Sequence, residues 1–278
     1  MIKIDSHHHF WKYNQAEYGW IDDSMKILRR DYLPSDLQTE LVGADFGGSV
    51  AVQARQSMEE SRWLLDLANR FDFIKGVVGW VDLRSGDDLK YQLDELCRSN
   101  KFVGVRHVVH DEPDDMFMLD DAFLDGINLL KDYNLTYDLL LFPKHLPVAE
   151  KVVSLFPEQK FIIDHISKPR IKEGILSPWN EDLYRMAEHK NVWCKLSGMA
   201  TEADWQNQGS ETFLPYLDLV FEAFGPNRLM AGSDWPVCLL AGGYKNAVGI
   251  TEKYISGMPA DIRHKIMGLN CVGFYGLK

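Results

Sequence analysis

The sequence predicts an α/β protein built as a single (β/α)8 TIM barrel over residues 1–278. Short runs rich in β-branched residues alternate with longer amphipathic stretches eight times, which is typical of a parallel barrel. The eight predicted strands lie at residues 2–5, 48–54, 74–83, 102–109, 135–142, 160–165, 192–198 and 228–234. Neither GxGxxG nor GxxxxGK[ST] occurs in the sequence, which disfavours a doubly wound sheet with a phosphate loop.

The segments between the strands show helical periodicity, and no linker rich in proline, glycine or serine divides the chain. Apolar residues recur at spacings of three and four in segments 61–71, 89–99, 124–133, 146–156 and 212–225. Residues 10–34 differ, because they are rich in aromatic residues and end in proline. We expect this segment to fold over the mouth of the barrel.

Composition indicates a small-molecule partner. The net charge of −11, with no compensating basic stripe, argues against nucleic acid or an anionic membrane surface as a partner. The four cysteines lie far apart and no signal peptide is visible, so we expect a reduced, cytoplasmic protein. No apolar run approaches the roughly 20 residues that span a bilayer. Composition does not decide whether the chain forms a homo-oligomer.

The N-terminal stretch "IKIDSHHHFWKY" places three histidines directly after an apolar run. A purification tag is usually a longer run joined by a flexible linker, whereas Ile2 and Ile4 here indicate a buried strand. Alternate side chains of a strand share one face, so His7 and His9 are expected to point together and His8 to point away.

Polar residues stand at the predicted strand ends, where barrels carry their active sites. Among them, His7 and His9 of the first strand, His165 of the sixth and Asp234 of the eighth form a donor set suited to one divalent metal ion, Zn²⁺ by its ligand types, with a position open for water. A metal at this site would acidify bound water, and Asp234 would take the proton and return it to the leaving group.

Other polar and aromatic residues have simpler interpretations. Isolated histidines are more often surface or satisfied helix residues than ligands, which sets aside His110, His145, His189 and His264. For Asp164, a structural role as a cap or in an ion pair is the alternative to a role in the site. For Lys195, the alternative is an orientation towards the outside of the barrel, because neighbouring strand residues face opposite ways. The indoles of Trp11, Trp80 and Trp235 suit core filling and sugar stacking equally.

Six motifs, in this order and across nearly the whole chain, resemble the amidohydrolase superfamily: "IDSHHHFW", "VGWVDL", "GVRHVVHDEPD", "DHISKP", "KLSG" and "GSDWPV". They are most similar to its sugar-lactone hydrolase branch, the L-fuconolactonase and L-rhamnonolactonase type. The resemblance implies a (β/α)8 barrel with His7, His9, His165 and Asp234 around the reacting centre. No lysine ends the fourth predicted strand, so we expect no bridged two-metal site. Some relatives work without a required metal, which leaves the need for the ion open.

The resemblance implies hydrolysis of a sugar-acid lactone, of the L-fuconolactone or L-rhamnonolactone type, with Asp234 as general base and then acid. Either a metal held by the three histidines or the side chains of Arg106 and His107 would polarise the carbonyl. The residues expected to bind the substrate are Gln53, Trp80, Lys168, Trp11 and Trp235.

Two other functions remain open. A metal-dependent decarboxylase acting on an unsaturated carboxylic acid would reuse the histidine and aspartate set and would need an anion-binding arginine pair. Arg106 and Arg55 are the candidates for that pair. A barrel that only binds a ligand predicts that the strand-end residues are replaceable without loss of binding.

Overall fold

The computed structural model describes residues 2–206 and 209–278, and within them it confirms the predicted barrel. Eight parallel strands pair in chain order, β1 to β8. The strands are β1 Ile4–His8, β2 Gly48–Val52, β3 Ile74–Gly79, β4 Phe102–His107, β5 Thr136–Leu139, β6 Phe161–Ile163, β7 Val192–Leu196 and β8 Leu229–Ala231. The first strand meets the end of the eighth, because His9 N donates to Trp235 O at 2.7 Å and Asp234 N donates to His7 O at 2.8 Å.

Helices cover the outside of the sheet. They are α1 Pro34–Gly43, α2 Met58–Arg70, α3 Asp87–Leu96, α4 Asp121–Leu130, α5 Leu146–Leu155, α6 Trp179–Glu188, α7 Met199–Glu202, α8 Leu214–Phe224, α9 Gly243–Ile255, α10 Ala260–His264 and α11 Asn270–Tyr275. The five helical segments expected from periodicity correspond to α2, α3, α4, α5 and α8. The helix α2 begins with an N-cap. The Ser57 hydroxyl accepts from Glu60 N at 3.1 Å, which gives one backbone N–H of the first turn a hydrogen-bond partner.

Seven of the eight strands are shorter than the sequence predicted, whereas β1 lies further along the chain, at Ile4–His8 instead of residues 2–5. β6 ends at Ile163, because the next residues leave the extended region: His165, Ile166, Ser167 and Lys168 all have positive φ. Left-handed backbone is costly for residues with a side chain, so a run of four requires support from its surroundings. Trp179 Nε1 supplies part of that support by donating to Ile166 O at 2.8 Å.

The N-terminal segment 10–34 lies across the barrel mouth, as expected. Its two ends pair through Trp11 N to Tyr32 O at 3.1 Å and Tyr32 N to Trp11 O at 2.9 Å. Trp11 is fully buried and its Nε1 donates to Arg30 O at 3.0 Å, whereas Trp20 is 45% exposed. Trp11 and Trp20 both line the pocket at the mouth of the barrel, so this segment supplies one of its walls.

None of the helices in the described part of the chain is long and apolar enough to cross a membrane. The four cysteines are free thiols, and three of them, Cys194, Cys238 and Cys271, are buried.

Candidate active site

The structure brings the four expected ligands together where β1, β6 and β8 end. His7 Nε2 lies 3.2 Å from His9 Nε2, and His9 Nε2 lies 3.3 Å from Asp234 Oδ1. The same Asp234 oxygen is 4.0 Å from His7 Nε2 and 3.8 Å from His165 Nε2. All four side chains are buried.

The histidine triplet divides as strand alternation predicts. His7 and His9 point to the centre, whereas His8 points away and places its Nε2 2.9 Å from Ser49 Oγ. His9 Nδ1 lies 2.9 Å from the Val52 carbonyl oxygen, which can only accept. Nδ1 therefore carries the proton, and the lone pair of His9 Nε2 faces the centre.

The donor set fits a divalent metal ion. Ligands of a tetrahedral zinc ion stand about 2.1 Å from the metal and hence about 3.4 Å from one another. The separations of His7, His9 and Asp234 bracket that value, and these three form a group whose donor atoms lie within 4.8 Å of one another. A second such group joins His7 and His165 to Asp164. The sequence leaves Asp164 open to a capping or pairing role and does not place it in the predicted donor set.

Asp164 belongs to a buried network of charges beneath the histidines. Lys195 Nζ lies 2.5 Å from Asp138 Oδ2, 2.9 Å from Asp164 Oδ1 and 3.1 Å from His7 Nδ1. Arg106 Nη1 donates to Asp164 Oδ2 at 3.1 Å. Lys195 thus points into the barrel, which corrects the outward orientation considered from the sequence.

The network sets the charge of its members. Burial alone would raise the pKa of Asp164, but Lys195 and His7 outweigh it and hold that pKa well below its usual range. Burial raises the pKa of Asp138 to about 6 despite the opposing effect of Lys195. Lys195 and Arg106 are the two cations that pair with these carboxylates, and their attraction offsets part of the cost of removing the charges from water.

The central groups have the charges that proton transfer requires. Burial lowers the pKa of His7 and of His165 well below the usual value, so both imidazoles are neutral near pH 7. Burial opposes ionisation of Asp234, but the groups around it, among them the Lys168 ammonium, outweigh burial and lower the pKa of Asp234. Asp234 is therefore a carboxylate, able to accept a proton.

Gly198 makes room for His165. This glycine follows β7, has φ +66°, and a Cβ built on it would stand 2.7 Å from His165 Cγ and Nδ1. The His165 ring is otherwise fixed by Nδ1, 2.9 Å from Ser197 Oγ. A side chain at position 198 thus meets both backbone strain and a clash with a central histidine.

We expect Gly198→Ala to lower the free energy of unfolding by about 1–3 kcal/mol and to reduce kcat, because the His165 ring must move. Gly174→Ala is the matched control, since Gly174 has φ +67° and nothing within 4 Å of its added Cβ. Thermal unfolding and turnover of both variants check this. If the two variants lose activity equally, the clash with His165 is not the cause.

A pocket of ≈ 210 Å³ opens above the central residues. Its lining includes His9, Trp11, Trp20, Ala54, Arg106, Val108, His110, Asp111, Leu140, His165, Lys168, Asp234 and Val237. A neighbouring cavity of ≈ 900 Å³ shares Lys168 with it but is not lined by the central histidines or Asp234. Lys168 Nζ lies 2.6 Å from Glu202 Oε1, and burial, which would lower the pKa of Lys168, is outweighed by this carboxylate.

Three expected site residues lie elsewhere. His107 points away from the pocket, stacks on Phe117 at 4.8 Å and places Nε2 2.6 Å from Glu112 Oε1. Trp80 Nε1 donates to His107 Nδ1 at 3.2 Å, so it lies on the same side as His107. Trp235 is 2% exposed and packs edge-on against Tyr32 in the core.

These positions correct the roles expected for His107, Trp80 and Trp235. Adjacent residues at a strand end face opposite sides, so when Arg106 points inward His107 must point outward. Gln53 is fully buried, and its side-chain oxygen accepts from Arg106 Nη2 at 2.9 Å. It is placed to hold Arg106 rather than to line the pocket.

The histidines set aside from sequence behave differently from one another. His145 is buried, with Nδ1 accepting from Phe142 N at 3.1 Å, and His189 lies 3.1 Å from Glu150. His264 ends the helix α10. His110, by contrast, lines the pocket, although neither group of candidate metal ligands among the described residues includes it.

A parallel barrel that gathers three imidazoles and a carboxylate at its strand ends has the architecture of a TIM-barrel hydrolase. The chain belongs to the amidohydrolase family, whose model, described as "Amidohydrolase", matches residues 4–277.

Individual relatives span the whole chain. It is 38% identical to an L-fucono-1,5-lactonase of Burkholderia multivorans (strain ATCC 17616 / 249) over 99% of this chain and 96% of that protein. It is 36% identical to an L-fucono-1,5-lactonase of Burkholderia ambifaria over 99% of this chain and 95% of the relative. A crystal structure of an amidohydrolase from Burkholderia multivorans with bound Zn superposes with a TM-score of 0.96, at 38% identity and with 100% of both chains covered.

Proposed function

We propose that this protein hydrolyses a sugar-acid lactone of the L-fucono-1,5-lactone type. The observation that carries the proposal is the convergence of His7, His9, His165 and Asp234, of which the last three line one small pocket. Whole-length similarity to two L-fucono-1,5-lactonases supports this substrate class. L-Rhamnonolactone is the related candidate, since an L-rhamnono-gamma-lactonase of Scheffersomyces stipitis is 27% identical over 63% of this chain.

The side chains at the floor have separate roles in this reaction. Asp234 accepts a proton from water as the water oxygen attacks the lactone carbonyl carbon. The bond from that carbon to the ring oxygen then breaks, and Asp234 returns the proton to the ring oxygen, which leaves as an alcohol. Arg106 lies at the pocket with its Nη1 donating to Asp164, and it brings positive charge close to the developing oxyanion.

His7, His9, His165 and Asp234 would hold the divalent ion, and their imidazole and carboxylate donors favour Zn²⁺. When bound, the ion supplies Lewis-acid polarisation of the carbonyl or acidification of water. The zinc-bound structure of the Burkholderia multivorans relative supports this choice of metal.

The decarboxylase alternative receives less support from the pocket. It needs two arginines facing the substrate, and Arg106 is one. Arg55, the expected second, forms an ion pair with Glu17 and lies beside Trp63 in a different pocket. A lactone has no carboxylate for such a pair to bind.

A panel of aldonolactones followed with a pH indicator tests the proposal directly. We expect release of one acid per lactone opened, with L-fucono-1,5-lactone or L-rhamnonolactone the best substrate. Absence of turnover with every sugar lactone, by an enzyme that elemental analysis shows to carry metal, would reject the proposed activity.

Chelation followed by dialysis tests the metal. We expect kcat to fall when the ion is removed and to recover when Zn²⁺ or Mn²⁺ is restored, with metal content measured in each sample. Full activity in enzyme shown to lack metal would assign the electrophile to Arg106 instead. In that case Arg106→Lys, which keeps the charge but loses the fork of donors, should lose most of its rate.

A further inference from the structure

The imidazole of His110 lies in the pocket wall at the mouth of the barrel. It follows β4 within the short helical turn Val109–Asp111 and shares the pocket with His165, Lys168 and Asp234. Its side chain is only 16% exposed, although it belongs to a loop. The mechanism proposed above does not use it.

Two neighbours fix the His110 ring. Its Nδ1 lies 2.7 Å from Asp111 Oδ1, and its face packs against Phe142 with ring centroids 4.7 Å apart. Burial lowers the pKa of His110 to about 4 against the opposing effect of the Asp111 carboxylate, and Lys168 and Arg106 act in the same direction as burial. The ring is therefore neutral near pH 7, and its single proton stays on Nδ1 to donate to the carboxylate.

This arrangement leaves Nε2 of His110 as a hydrogen-bond acceptor. Within the described residues, Nδ1 is the ring nitrogen that has a hydrogen-bond partner, and Nε2 is free to accept from a ligand. Of the other charged residues that line the pocket above its floor, Arg106 and Lys168 only donate, and the Asp111 carboxylate accepts from Nδ1 of His110. A hydroxylated ring in this pocket needs an acceptor for its own hydroxyl protons, because buried polar groups without partners are costly.

We propose that Nε2 of His110 accepts a hydrogen bond from a ring hydroxyl of the substrate, so that the His110–Asp111 pair selects hydroxylated lactones over lactones without ring hydroxyls. This inference rests on the proposed lactone hydrolysis. Asp111 acts as a positioning residue, since it holds the proton on Nδ1 and keeps Nε2 as the acceptor. Trp20, Leu140 and Val237 supply apolar surface beside this contact.

The kinetic test compares a sugar lactone with δ-valerolactone, which has no ring hydroxyls. For His110→Phe we expect kcat/KM on the sugar lactone to fall about 10-fold, mainly through KM, as the loss of one hydrogen bond implies. Turnover of δ-valerolactone should stay within about 2-fold of wild type, since it never made the bond. His110→Gln should recover much of the loss, because its side-chain oxygen can reach the place of Nε2. His189→Phe is the matched control, since His189 pairs with Glu150 away from the pocket.

Calorimetric binding of an uncleavable sugar lactam with the same hydroxyls separates this inference from the proposed activity. If wild type opens neither lactone, the proposed function fails, and the lactam titration alone decides the role of His110. We expect His110→Phe to weaken lactam binding about 10-fold. Equal affinity of wild type and His110→Phe for the lactam, or equal losses on both lactones, would overturn the inference.

Discussion

Asp234→Asn is expected to reduce kcat by about 100-fold or more, the usual scale of general acid–base catalysis. The asparagine keeps the shape of the side chain but cannot accept the proton of the attacking water or return it to the ring oxygen. Asp234 has φ +57°, a conformation that asparagine adopts more readily than most residues, so the fold should survive the change. Steady-state hydrolysis of the best lactone, with thermal unfolding in parallel, measures the effect.

A lost metal ligand would also slow this variant, so its metal content must be measured alongside its rate. Loss of activity with the metal retained assigns the effect to proton transfer. Asp218→Asn is the matched control, because Asp218 accepts from Tyr254 on the outer helices and should leave turnover unchanged. A variant with metal bound and near wild-type kcat would show that another group is the base.

The parts of this protein that follow from periodicity could be predicted from its sequence. Eight alternations of strand and helix give the barrel, and the strand-end rule gives the neighbourhood of His165 and Asp234. Alternation within one strand separates His8 from its two neighbours. Each of these predictions needs only local order along the chain.

The errors arise where side chains meet across the barrel. Lys195 contacts His7 across 188 positions of sequence, and no local pattern indicates that contact. The sequence does not state which of Arg106 and His107 faces inward, since both stand at the end of β4. In the folded chain Arg106 pairs in register with Asp138, whose carboxylate meets Lys195 inside the barrel, so Arg106 is the residue that faces inward.

The position of His110 in the pocket wall could not be predicted from the sequence, for a related reason. A histidine in a loop carries no periodicity, and its position depends on the turn Val109–Asp111 folding back beside Phe142. The segment "HDEPD" contains one signal of a site, a histidine next to a carboxylate residue. That pairing is common on surfaces, so it does not by itself indicate a pocket.

Substitutions in the histidine triplet are expected to have the second large effect on activity. His7→Ala and His9→Ala should each reduce kcat/KM by about 100-fold or more, because each removes an imidazole that fits a metal ion worth several kcal/mol of transition-state stabilisation. His9 is the cleaner site, since its Nε2 lies 3.3 Å from Asp234 and its Nδ1 lies 2.9 Å from the uncharged Val52 carbonyl oxygen. His7 also contacts Lys195 and Asp164, so its removal disturbs the buried charges as well.

His8→Ala is the internal control for both changes. His8 is fully buried beside Phe10, so its truncation should lower the melting temperature by leaving a cavity and an unpaired Ser49 hydroxyl. It lies on the opposite side of β1 from the pocket, and turnover of the folded fraction should stay within a few-fold of wild type. Metal content, unfolding and kinetics of the three variants separate binding from folding. If folded protein lost turnover to a similar extent at all three positions, the assignment of His7 and His9 to the centre and of His8 to packing against the neighbouring strand would be rejected.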